Sequence, residues 1–509
     1  MTGETLIRGA TLLTLEGAGG AEPWQGDLLV AGDRIAALGP DLGPDLALGP
    51  GATVIDGRDR LVMPGLVNGH LHSSEQLWKG RYAGLPLETW LLYAYPFLMG
   101  PPIDLELLRL RSLLVAAESL KAGVTTICDL FFDPPDFSLD RLGAVFAAYE
   151  AAGIRANVAS SVINIPALDS LPWGRAVMPP ALQALLDGGR RVSGRDYAEF
   201  CAAAFAAFDG RAGRLRFMLS PSAPQRCTPD LLEAAAALAE RHRVPLHMHA
   251  LETRTQAVAG ALAGRSPIRH LRELGLLDRK VTIAHAVWAS DEDVALLGEA
   301  GASVVHNAIS NQKLGSGIAP LRRLLDAGVA IGLGTDGAAA NDTLRLFDVM
   351  RVAALIHCAT GADPARWVTA AEILRAATIG GARTAMLERE TGSLAVGKKA
   401  DLLVLRTDSL AFTPLNDVRN HLVYSENGGS LELVMVDGEV VLRDGRLTRI
   451  DEAELLRALR ERVPAYLAAH GEIERRNRVF EPYLAEIHRR AALQDVGMER
   501  WAGDDARRR

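Results

Sequence analysis

The chain has 509 residues, 49% of them hydrophobic, and a formal net charge of -7. That length supports a large buried core and more than one domain, and the mild acidic balance gives no footprint for nucleic acid or an anionic membrane surface. Four scattered cysteines, Cys128, Cys201, Cys227 and Cys358, argue against a disulfide scaffold or zinc ribbon; with no leader pattern and no apolar run of membrane-spanning length, a cytoplasmic protein with reduced thiols is expected.

Residues 1–58 read as short strands separated by Gly, Pro and Asp clusters: Thr5-Leu-Ile-Arg-Gly, the run from Asp27 to Ile35, and Ala52-Thr-Val-Ile-Asp-Gly. From 59 to 390, apolar runs alternate with Ala/Leu-rich helical stretches. The strands are predicted at Leu61–Val67, Val124–Cys128, Ile154–Ser160, Leu215–Leu219, Val244–Met248, Val281–Ala284, Ser303–Val305 and Val329–Gly334. Helices are predicted over Leu105–Ala122, Asp230–His242 and Asp291–Ala300. Eight strands with helical connections predict a (β/α)8 TIM barrel. Strand signals return over 391–448, in Ala400–Leu405 and Leu433–Leu442, so the two terminal regions are expected to build one small β-sandwich domain. Residues 449–509 read as a charged helical extension with no assignable task, closing on a solvated tail from Gly503 to Arg509.

Chemistry-bearing residues sit at the carboxyl ends of the apolar runs: His70 and His72, then His247 and His249, His285, His306 and Asp336. That is the end where a parallel barrel places its active site. Two imidazoles two residues apart on a strand point the same way and can reach one ion. His70, His72, His249 and Asp336 offer three imidazoles and one carboxylate, a donor set suited to one divalent metal ion, zinc or alternatively iron, and ill suited to calcium or magnesium. Glu252, three residues past His249, is placed to move a proton, His285 to orient the water or stabilise developing charge, and Asp336 to accept a proton. His247 is read as turned away from His249 and hydrogen-bonded in the interior. His306 either contacts substrate or fixes the loop before Asn311. Trp78, with Trp90 and Trp288, is a candidate to stack on a planar ring.

Pro64-Gly-Leu-Val-Asn-Gly-His70-Leu-His72, His249-Ala-Leu-Glu252-Thr, the segment His306 to Pro320, and Gly332-Leu-Gly-Thr-Asp336-Gly-Ala-Ala-Ala-Asn341-Asp together resemble the amidohydrolase superfamily over about residues 5–448. The resemblance is to its chlorohydrolase and aminohydrolase branch, which includes triazine hydrolases, cytosine and guanine deaminases and methylthioadenosine/S-adenosylhomocysteine deaminases. It implies a TIM barrel, one metal on His70, His72, His249 and Asp336, Glu252 as proton shuttle, and His285 near the reacting water. The fourth predicted strand has no Lys to bridge two metals, so a mononuclear centre is expected.

Two departures bear on substrate. Nucleoside deaminases of this branch usually carry Gly-Pro-His after the fourth strand. Here Ser220-Pro-Ser222-Ala-Pro-Gln225-Arg226 stands instead, so Ser222 and Gln225 are candidate substrate contacts and an adenosine-like substrate is disfavoured. The acidic residue that often precedes Trp in the first loop is also shifted, to Glu88 in Glu88-Thr89-Trp90. The implied activity is hydrolytic deamination of a planar nitrogen heterocycle by a homodimer or higher homo-oligomer acting on a small molecule. Cleavage of another C–N or a C–Cl bond, or a non-catalytic assembly role, are the alternatives.

Overall fold

The computed structural model describes residues 3–501 apart from 18, 44, 45, 47, 133–136, 188–190, 279 and 362. The tail from Gly503 therefore lies outside the described residues. Among the described residues, seventeen strands occur in chain order: β1 Glu4–Leu12, β2 Trp24–Ala31, β3 Arg34–Gly39, β4 Thr53–Asp56, β5 Arg60–Pro64, β6 Leu66–Leu71, β7 Val124–Phe131, β8 Arg155–Val162, β9 Leu215–Pro221, β10 Leu246–Ala250, β11 Val281–His285, β12 Ser303–His306, β13 Ala330–Leu333, β14 Leu402–Arg406, β15 Leu431–Val436, β16 Glu439–Arg443 and β17 Arg446–Leu447.

Strands β6 to β13 close into an eight-stranded parallel barrel. Nearly every residue on them is buried, as required of a sheet covered by side chains inside and helices outside. The helices that cover it carry their own start signals. Asp104 accepts from the Leu107 amide at the head of Leu105–Lys121, and Ser290 with Asp293 forms a reciprocal cap on Asp291–Glu299.

The remaining nine strands form one sheet from both chain ends, ordered β17-β16-β15-β14-β5-β1-β2-β3 with β4 against β1. The predicted single strand Leu61–Val67 is two. Arg60–Pro64 pairs with β1 and β14 in this terminal sheet, and only after Gly65 does the chain enter the barrel. A side chain at Gly65 would collide with Thr125, and its amide donates to the Asp401 carbonyl at 2.9 Å, so the switch between sheets falls where no Cβ is tolerated.

Barrel and sheet are joined by a buried ion pair. Arg155 at the start of β8 donates Nε to Asp401 Oδ2 at 2.6 Å and Nη2 to Asp401 Oδ1 at 2.9 Å and Asp437 Oδ1 at 3.0 Å. Both Arg155 and Asp401 are buried. Removing one partner strands the other's charge, so Arg155→Met is expected to destabilise the protein by about 3–5 kcal/mol. Urea unfolding of the variant against wild type measures this, and a loss below about 1 kcal/mol would mean the pair is not a fastener.

The carboxyl-terminal extension consists of helices Glu452–Asn477 and Glu481–Leu493 with a closing segment to Trp501. It crosses the carboxyl rim of the barrel. Glu474 takes Arg81 (2.8 and 2.7 Å) and the Tyr82 hydroxyl (2.6 Å), and Glu481 takes the Tyr93 hydroxyl (2.6 Å). Further on, Arg254 donates to the Ala491 and Gln494 carbonyls and packs on the rings of Trp288 and Trp501, its Cζ 5.1 Å from each centroid. The extension thus ties the loop after β6 to the loops after β10 and β11. No helix among the described residues is long and apolar enough to cross a membrane.

Candidate active site

The ends of β6, β10, β11 and β13 bring His70, His72, His249, His285, Asp336 and Glu252 together at the carboxyl rim. His70 Nε2 and His72 Nε2 lie 3.5 and 3.4 Å from Asp336 Oδ1, and His72 Nε2 lies 3.1 Å from His249 Nε2. His285 Nε2 faces Glu252 Oε1 at 3.8 Å and Asp336 Oδ2 at 4.0 Å.

The first and last barrel strands are locked to set this geometry. Asn68 donates to Thr335 Oγ1 at 2.7 Å and accepts from the Thr335 amide at 3.0 Å, and the Asp336 amide donates to the His70 carbonyl at 3.0 Å. A Cβ at Gly334 would come within 2.9 Å of His70 Cβ, so β13 reaches His70 only because no side chain intervenes. His285 and Asp336 both leave their strands in the left-handed region, at φ 74° and 61°. Such residues cost about 1–3 kcal/mol each, and here the sharp turn throws their side chains over the barrel mouth.

The protonation pattern of the imidazoles follows from their outer partners. His72 Nδ1 and His249 Nδ1 face the Leu130 and Ser222 carbonyls at 2.8 and 2.7 Å, and a carbonyl only accepts. Both rings therefore carry the proton on Nδ1 and point bare Nε2 lone pairs at each other across 3.1 Å. A cation between them resolves that repulsion. His70 Nε2 is likewise buried with no hydrogen-bond partner. Burial holds His70 down at about 4 and His249 well below the ordinary imidazole range, so both are neutral donors. Against its own burial, Asp336 is kept well below the usual carboxylate range by His70 and the neighbouring imidazoles. The donor set thus fits one divalent metal ion.

Burial pushes Glu252 up to about 7, with the Asp336 charge adding to the rise and His285 opposing it. It can then hold or release a proton near neutrality. His285 Nδ1 faces Asn311 Oδ1 at 2.9 Å, which leaves Nε2 as an acceptor toward the space between Glu252 and Asp336.

Several expectations need correction. His247 lies on the same face as His249, as two-residue spacing on a strand requires; what keeps it from the rim is depth, for its Nε2 meets His70 Nδ1 at 3.2 Å from below. His306 is paired with His357, Nε2 to Nε2 at 3.1 Å, and is not in the wall of the pocket over the polar cluster. Trp78 lines the larger cavity beside that pocket, where it stacks on His470 of the extension at 4.9 Å. From the loop after β9, Ser222 lines the pocket and Gln225 does not. The turn Pro224–Arg226 presents Arg226 instead.

Glu75 and Tyr95 were not foreseen. Glu75 is 1% exposed; its Oε1 accepts from the Tyr95 hydroxyl at 2.9 Å and its Oε2 has no partner. Burial, with the Asp336 charge, raises it well above the carboxylate range, so it is a neutral acid facing the pocket. Its only sequence signal is its place three residues past His72, in a turn Ser73–Trp78 that buries nearly all of its polar residues.

A closed parallel barrel with imidazoles and carboxylates converging on one cation-sized gap defines a metal-assisted hydrolase. The amidohydrolase family model matches residues 61–441. The chain is 37% identical over 460 residues to a 5-methylthioadenosine/S-adenosylhomocysteine deaminase of Desulforudis audaxviator, covering 89% of this chain and 96% of that one. It is 34% identical to a 5'-deoxyadenosine deaminase of Methanosarcina barkeri, covering 79% and 86%. Among solved structures, an adenosine deaminase from Xanthomonas campestris with bound zinc superposes with TM-score 0.78 at 28% identity, over 91% of this chain and 98% of that one. Atrazine chlorohydrolase from Arthrobacter aurescens complexed with zinc gives 0.79 at 27%, over 90% and 100%. The chain belongs to the amidohydrolase family: it is a hydrolase acting on carbon–nitrogen bonds, and deamination is the reaction class it shares with its relatives.

Proposed function

We propose that the protein hydrolytically deaminates an aminated planar nitrogen heterocycle at a single zinc site formed by His70, His72, His249 and Asp336. The observation that carries the reading is the pair of bare Nε2 atoms on His72 and His249, 3.1 Å apart, with Asp336 3.4 Å from that of His72 and a neutral-range carboxyl at Glu252 in the same pocket. Zinc-bound structural neighbours support zinc over iron. When bound, the ion lowers the pKa of a coordinated water toward neutrality and so supplies the nucleophile.

The chain's own groups manage the protons. Asp336 accepts one from the attacking water, and His285, held by Asn311, orients that water through its acceptor nitrogen. Glu252 delivers a proton to the ring nitrogen as the amidine carbon becomes tetrahedral. The proton held on Asp336 then passes to the departing amine, ammonia leaves, and the hydroxyl proton returns to Glu252 as the carbon–oxygen double bond forms. Glu75, neutral and with one free oxygen, hydrogen-bonds the ring, and Ser222 closes the opposite wall. Because Ser222 stands where nucleoside deaminases of the branch place a histidine, methylthioadenosine and S-adenosylhomocysteine are expected to be poor substrates. A cytoplasmic homo-oligomer completes the reading, and light scattering measures the assembly.

The test is an ammonia-release screen of zinc-loaded protein across aminopurines, aminopyrimidines, pterins and triazines, with both nucleosides included. Ammonia from one ring class, abolished by chelation and restored by zinc, is expected. Release of chloride or cleavage of amides or carbamates alone would replace deamination by another hydrolysis. Efficient turnover of either nucleoside would overturn the reading of the Ser222 loop.

A further inference from the structure

The turns that carry Glu252 and His285 are strained where they leave the barrel. After β10 the chain passes Leu251 at φ 52° before Glu252, and at the end of β11 it passes His285 and Ala286 at φ 74° and 48°. Left-handed conformations in residues with a side chain are costly and persist only where the surroundings enforce them. The two turns lean on each other: the Ala286 amide donates to the Ala250 carbonyl at 3.2 Å and the Trp288 amide to the Leu251 carbonyl at 2.8 Å. Among the described residues no hydrogen bond reaches the Glu252 carboxyl, which faces His285 Nε2 at 3.8 Å, so its place is set through the segment that bears it.

Two residues past Glu252, Arg254 lies outside the pocket wall, with its guanidinium seated in the carboxyl-terminal extension. Nε donates to the Ala491 carbonyl at 3.1 Å, Nη2 to the Gln494 carbonyl at 2.6 Å, and Nη1 to Glu499 Oε2 at 3.0 Å. Trp288 and Trp501 cover it, and its side chain is 9% exposed. A guanidinium bonded through Nε and both terminal nitrogens has its plane fixed, which an ammonium could not reproduce. The same segment holds the other turn. Arg500 donates Nε to the Val287 carbonyl at 3.1 Å and Nη2 to the Ala289 carbonyl at 2.7 Å, on either side of Trp288, whose ring meets that of Trp501 edge-on at 5.5 Å. One short stretch, Ala491 to Trp501, therefore grips both strained turns from outside.

We propose that Arg254 is a positioning residue: locked into the extension, it holds the Glu252 turn against the turn after His285, so that the carboxyl-terminal extension sets where the proton carrier stands. This rests on the reading of Glu252 as the proton carrier, through which Arg254 acts. A displacement of about 1 Å at a reacting group is enough to cost about 10²-fold in rate.

The test uses full-length, zinc-loaded protein and the ring that releases ammonia in the screen, in a double-mutant cycle between positions 254 and 252. Arg254→Met keeps the packing on the two tryptophans and removes the donors. It is expected to retain zinc, to leave KM within about threefold and to lower kcat about 10²-fold. In the Glu252→Gln background the same substitution is expected to lower kcat by no more than about twofold, because the carrier it positions is already gone. Trp501→Ala, at the outer wall of the socket, is expected to lower kcat about tenfold with the same non-additivity, and it carries the test if Arg254→Met does not fold. Hydrogen exchange needs no substrate and reads the positioning itself. The Glu252 amide, bonded to Gln256 Oε1 at 2.9 Å, is expected to exchange at least about tenfold faster in the variants while the amides of β7 and β8 keep their wild-type rates. If no ring releases ammonia, deamination fails and the positioning assignment is decided by exchange alone. Losses in kcat that add in full across the cycle, a rise in KM with kcat intact, or a Glu252 amide that exchanges at the wild-type rate overturns the proposal.

Discussion

Replacing His249 or Asp336 by alanine is expected to strip the protein of bound zinc and to cut turnover at least about 10³-fold, while the barrel remains folded. Each supplies one of four donors, and each also holds its neighbours in place. Without His249, the site loses the imidazole that faces His72 at 3.1 Å and is left with three donors. Without Asp336, the cluster loses its only carboxylate that stays ionised far below neutrality. Metal analysis after purification, with circular dichroism as the control for folding, measures both effects. One equivalent of zinc and near-normal turnover in either variant would remove that residue from the ligand set.

Glu252→Gln is expected to behave differently: zinc stays, substrate still binds, and kcat falls by about 10²–10⁴, because the amide keeps the shape and cannot carry the proton. A rise in KM with kcat intact would make Glu252 a binding group. The same variant reads out the burial of this carboxyl in the chelated, metal-free protein. Glu252 is shifted upward from its ordinary 4.5 to about 7, so its contribution to wild-type stability is fully present below pH 4.5 and is lost as pH rises through 7. Glutamine has no such loss. Chelated Glu252→Gln should match chelated wild type near pH 4 and exceed it by about 3 kcal/mol at pH 8. A gap of the opposite sign at pH 8 would mean that the carboxylate is stabilised where it sits.

The barrel and its rim were legible because both rest on short-range rules. Buried parallel strands read as unbroken apolar runs, and residues at their carboxyl ends must face the mouth, so His70, His72, His249, His285 and Asp336 could be named before any coordinates. What failed was depth and offset. His247 and His249 obey the same two-residue alternation, and nothing in the sequence says that one stands a layer below the other. The run Leu61–Val67 is equally apolar on both sides of Gly65, so its change of sheet was invisible. Gln225 and Arg226 are adjacent polar residues in a loop, and which one lines the pocket is decided by a turn of three residues. Glu75 acquires its acid character only when distant segments bury it.

The terminal sheet has a consequence in time. Strand β5 pairs on one side with β1 and on the other with β14, where Pro64 meets Leu402. On a ribosome adding about 5–20 residues per second, β5 waits roughly 20–70 s for that neighbour. Throughout that interval the nascent chain carries a hydrogen-bonding edge with nothing against it, directly upstream of the strand that bears His70 and His72. The arrival of β14 is therefore also the step that fixes the entry of the first barrel strand, and the metal-binding end of the molecule reaches its final form only when almost four-fifths of the chain has been made.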